Sequence, residues 1–81
     1  MPTFRISVIN AEFVVRNEHH CATIEAAREE AIRGALQIGT DEIIGGKGFF
    51  GAEVVVEDDG QIIDRFVVAI GSSPLHNSQK Q

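Results

Sequence analysis

Glu18, His19, His20 and Cys21 set a carboxylate, two imidazoles and a thiol side by side, just ahead of a helical pattern. Side chains of these types can ligate a metal ion, or raise a thiolate beside a base. Ligation needs convergence, as at i and i+4 on a helix or i and i+2 on a strand. If an extended strand ran through them, the adjacent His19 and His20 would point to opposite sides. In a loop they could converge with Glu18 and Cys21, yet no other residue obviously completes a tetrahedral set. His76 falls in a loose polar tail. Structural zinc sites show paired Cys/His spacings, which this chain lacks. The expectation is a solvated loop with no resident metal.

Cys21 stands two residues before a helix N-cap, where the dipole favours a thiolate. A nucleophile also needs a positioned base and an anion-stabilising pocket. A chain of 81 residues has little material for one. Cys21 is expected to be a small, half-buried packing residue. The stretch Gly45-Gly46-Lys47-Gly48 invites a phosphate-loop reading, but its spacing fails. The glycine required five residues before the Gly-Lys pair is Asp41, Gly48 stands where Ser or Thr is needed, and a strand rather than a helix follows. No catalytic residue and no cofactor are expected, and the chain is read as not an enzyme.

The elements explain why. In Thr3–Ile9, Phe4, Ile6 and Val8 alternate with Thr3, Arg5 and Ser7, the pattern of a half-buried strand. After Asn10-Ala11-Glu12 the chain returns through Phe13-Val14-Val15-Arg16, with Phe13 and Val15 on one face and Val14 and Arg16 on the other. The run from Asn17 to Ala22 breaks this period. Ile24, Ala27, Ala31, Ala35 and Ile38, widened by Ile32 and Leu36, make a helix of about four turns. Thr23 is its expected N-cap and Gly39 its C′ stop. Gly34 weakens the helix but could let it lie close to the sheet. Residues 40–51, rich in glycine, read as a loop. Val54 and Val56 oppose Glu53, Val55 and Glu57 on a third strand, and Asp58-Asp59-Gly60 is a hairpin turn. The fourth strand, Ile62–Ile70, has its alternation broken at Asp64-Arg65, a sign of a bulge or an edge.

The order ββαββ predicts an α+β domain of two layers over residues 1–71, with a polar tail over 72–81. Its four-stranded, mainly antiparallel sheet has one helix on one face. Ile6, Val8, Ala27, Ala31, Val54 and Val56 should form the contact between the layers.

Composition narrows the partners. Twelve carboxylates stand against seven Lys and Arg, a formal charge of -5. Phosphate backbones and anionic membranes need a basic footprint, so neither nucleic acid nor membrane is expected. No segment approaches the apolar run of a membrane span. The start, MPTFRISVIN, lacks the basic and apolar regions of a signal peptide, and the single cysteine cannot close an internal disulfide. A cytoplasmic location is expected.

Phe4 on the first strand, Asn17-Glu18 in the polar loop, Glu25-Ala26-Ala27-Arg28 opening the helix and Asp58-Asp59-Gly60 in the closing hairpin together resemble a family of short bacterial proteins known only as a domain of unknown function. The resemblance spans residues 3 to about 70 and implies the ββαββ arrangement and a bacterial origin. It implies no activity. The chain departs from that pattern at His19-His20-Cys21 and in its longer glycine-rich loop. The junction from Cys21 to Ala31, CATIEAAREEA, is also similar to that of HicB-type antitoxins, which place three strands before the helix and one after it.

One helix covers one face of the sheet. The other face is left with Val14, Val55 and either Ile62 or Ile63, extended by Phe49 or Phe50. These residues are the candidate interaction surface. The expected function is a non-enzymatic interaction module that self-associates as a homodimer or binds another protein. The alternative is an antitoxin-like regulator that caps a partner.

Overall fold

The computed structural model describes residues 2–75. Two antiparallel hairpins flank one helix: β1 (Thr3–Ile9), β2 (Val14–His20), α1 (Ile24–Ile44), β3 (Phe49–Asp58) and β4 (Gln61–Gly71). They form one antiparallel sheet in the order β2-β1-β3-β4, so β2 and β4 are its edges. The two-layer ββαββ fold read from the sequence is the fold observed.

Each turn has a local cause. In the first hairpin, Asn10 Oδ1 accepts from the backbone N–H of Glu12 at 2.8 Å and of Phe13 at 3.1 Å. This Asx-type capping sets the reversal without positive φ. In the second, Asp59 (φ 54°) and Gly60 (φ 82°) take the paired left-handed conformations of a type I′ turn. Further along β4, register slips opposite Val56 and Glu57, leaving Ile63 as an extra residue. The bulge and the edge position foreseen at Asp64-Arg65 both occur.

The helix starts as expected, with Thr23 Oγ1 accepting from the backbone N–H of Ala26 at 3.0 Å. It does not stop at Gly39. Residues 40–44 continue it to Ile44, where Gly45 caps it and Gly46 (φ 112°) reverses the chain. The N–H of Gly46 reaches the carbonyl of Ile43, and that of Lys47 reaches Glu42, the paired bonds of a Schellman motif. Gly39 is instead a packing glycine. A Cβ there would stand 2.6 Å from Ile70 Cδ1 and 2.7 Å from Phe50 Cδ2. Gly34, the position expected to allow close approach, has nothing near its missing side chain.

Phe4, Ile6, Val8, Ala27, Ala31, Ala35, Ala52, Val54 and Val56 fill the interlayer core, so all six residues predicted for that contact are there. The helix rests on β3, β4 and β1 and leaves β2 largely uncovered. A groove of about 350 Å³ runs there, lined by Ile6, Val15, Asn17, His19, Gly34 and Ile38 among others. Lys47 ties that end of the molecule together, bonding Glu12 in the first turn at 2.9 Å and Glu42 in the last helical turn at 3.4 Å. Those hydrogen bonds, to Glu12 first, and the attached charges raise the Lys47 pKa above its ordinary value.

Candidate interaction surface

The strand β2 runs straight through Asn17–His20, so the expected loop is a strand. Its pleat sends His19 to the helix side, opposite Phe4, and His20 to the other side, opposite Thr3. His20 Nδ1 lies within hydrogen-bond distance (3.0 Å) of Thr3 Oγ1. Cys21 is buried in the core rather than half-exposed, with its N–H bonded to the carbonyl of Pro2. His19 and His20 therefore point to opposite sides of the strand, although both border, with Cys21, one open depression beside Ala26, Glu29 and Arg33. Among the described residues, no three His, Cys, Asp or Glu side chains are grouped to hold a metal ion. His76, and residues 76–81 of the tail, lie outside the described residues. A thiol probe is expected to label Cys21 at the rate of global opening, and at a free-thiol rate only in denaturant. Rapid labelling of the native protein would show that the cysteine is accessible.

The side of the sheet away from the helix is built from regular transverse rows. Arg16, Ser7, Val55 and Arg65 stand in register across all four strands. Arg16 Nε donates to Ser7 Oγ at 3.0 Å, and Arg65 Nε donates to Glu53 Oε2 at 2.8 Å. Between these arginines Ser7 and Val55 are buried (1% and 7% exposed), although among the described residues no second layer covers them. Long arginine stems commonly shield such a floor while their heads stay wet. On one side of this row lie Glu18, Arg5, Glu57 and Ile62. On the other lie Val14, Ile9, Glu53 and Val67. Beyond that, the Phe49 ring folds over Gly51, where a Cβ would stand 2.9 Å from Phe49 Cε2.

Of the residues proposed from sequence, Val14 (54% exposed) and Phe49 (66% exposed) are on this face and open. Val55 is on it but serves as its buried floor. Phe50 is not on it. The pleat turns Phe50 to the helix side, where it stacks on Phe13 with ring centroids 6.5 Å apart and is buried beside Gly39. Ile62, opposite Glu57, is the open one of its pair, while Ile63 packs against the core. Val67, 72% exposed, belongs to the surface and was missed. Its period-two relation to Arg65 was the available signal, obscured by the bulge at Ile63.

Charge on the strand rows of this face is balanced. Arg5, Arg16 and Arg65 meet Glu18, Glu53 and Glu57, and Asp59 of the β3–β4 turn stands beside them at one end, so most of the formal -5 of the chain resides elsewhere. No helix among the described residues is long and apolar enough to cross a membrane. Comparison of the chain with protein-family models, curated proteins and solved structures gives no match.

Proposed function

We propose that the protein is a non-enzymatic interaction module that self-associates through the uncovered face of its sheet. The supporting observation is the neutrality of that face in an acidic chain, combined with exposed Val14, Phe49, Ile62 and Val67. A second copy brings the same net charge of -5, and a neutral surface is where two such copies can meet without repulsion. Rows rich in arginine and in glutamate lie side by side, so a two-fold contact can oppose unlike charges while the apolar side chains are covered. Exposed apolar side chains gathered on one face of a small domain commonly mark association. The burial of Cys21 in the core supports the non-enzymatic part of the reading, because a nucleophilic thiol must be open to its substrate as well as near a base.

Phe49→Asp and Val14→Asp test the contact. Both positions are exposed, so the fold should survive. Each change is expected to raise the self-association Kd at least about tenfold, the equivalent of ~1.4 kcal/mol. Unchanged association in the double variant, measured by sedimentation, would remove the face as the contact.

A further inference from the structure

We infer that the free edge of β4 is a second self-association site, at which β4 of another copy adds antiparallel to continue the sheet. This inference rests on the self-association reading above but uses different atoms.

The Ser72 N–H bonds the Gly48 carbonyl at 2.9 Å, which makes that pair a hydrogen-bonded one. Hydrogen-bonded pairs alternate along an antiparallel ladder. Ile70, Val68 and Phe66 therefore direct their backbone groups toward β3, while Arg65, Val67, Ala69 and Gly71 direct theirs outward. Among the described residues nothing pairs with those outward groups.

Free edges are ordinarily guarded by charges, proline or short length. The other edge, β2, is seven residues long and carries Arg16, Glu18, His19 and His20. By contrast, β4 runs for eleven residues without proline, and its only charged residues are Asp64 and Arg65. Each of these is held within the chain, Asp64 by Arg28 and Arg65 by Glu53. No charge is left over to repel an approaching strand.

The edge is also apolar on both sides. Val67 stands open on the uncovered face. On the helix side the Arg28–Asp64 pair turns one row of α1 toward β4, and the next members of that i+4 row are Ile32 and Leu36. Both are more than a third exposed. The occupant must therefore offer a free strand with apolar side chains above and below it. A second copy related by a two-fold axis offers this, since the axis sets β4 against β4 and the Ile32–Leu36 flank against its mate. With the face contact, the complete assembly is a tetramer of two eight-stranded sheets with helices outward.

Backbone amide hydrogen exchange on the full chain reads the edge directly. At assembling concentration the Val67 and Ala69 amides should exchange at least about tenfold more slowly than the outward amides of Arg16 and Glu18 on β2, and the difference should vanish on dilution. Ala69→Pro deletes one outward N–H without touching the β3 ladder, so it should halve the mass of the assembly and keep the circular dichroism of the fold. Leu36→Lys, on the exposed helix, should do the same, and it decides the matter should the proline variant not fold. Free exchange at Val67 and Ala69 in a dimer that Phe49→Asp dissociates would overturn the edge and leave the face contact standing. A dimer dissociated by Ala69→Pro or Leu36→Lys but not by Phe49→Asp would do the reverse.

Discussion

Ala31→Asp is expected to unfold the domain. Ala31 is fully buried between helix and sheet, in a core with Val54 and Val56. A carboxylate there has lost its water and gained no partner, because Arg28, one turn away, is already held by Asp64. Burying an unpaired ionisable group costs several kcal/mol even when it escapes by taking up a proton. Small domains hold about 5 kcal/mol in reserve, and this one has little core beyond that layer. Thermal unfolding followed by circular dichroism should show no cooperative transition at neutral pH. A cooperative Ala31→Asp variant would mean that the helix presents a different face to the sheet.

The same alanine substitution should have opposite signs at two glycines of one helix. At Gly34 a methyl group meets open space, so Gly34→Ala should stabilise by about 1 kcal/mol, the intrinsic helix preference. At Gly39 that gain is opposed by a methyl placed 2.7 Å from the buried Phe50 ring. The Ile70 end can rotate away, whereas the ring is stacked on Phe13 and surrounded by core. Overpacking of this order costs about 1–3 kcal/mol, so Gly39→Ala should be neutral to destabilising by up to about 2 kcal/mol. The two melting temperatures should differ by at least about 5 °C in a domain of this size. Equal stabilisation by both would contradict the close approach at Gly39.

Those two glycines mark where the sequence could and could not be read. The alternation of Phe4, Ile6 and Val8, the Thr23 cap and the Asp59-Gly60 turn are local signals, and local physics decided them. Gly39 followed by polar residues also reads locally as a helix end. What decides it is the need of Phe50 and Ile70 for space, a demand from residues distant in the chain. The imidazole pair misled in the same way. A polar run resembles a loop, but Thr3, Phe4 and Arg5 were available on β1 to pair with His20, His19 and Glu18 and extend the strand. The surface was half legible. Val14 was placed by alternation, whereas Phe49 and Phe50 fell in the expected loop and could be told apart only once the start of β3 at Phe49 was known. The bulge at Ile63 inverted the parity of β4 and hid Val67.

Self-association is the claim on which the functional reading stands, and the mass of the wild-type protein across a wide range of concentration tests it most directly. Light scattering should give at least twice the 8.8 kDa chain mass, rising toward four times that value as concentration increases. A mass of 8.8 kDa at every concentration would contradict the account, leaving the neutral face and the bare β4 edge without a second copy to cover them.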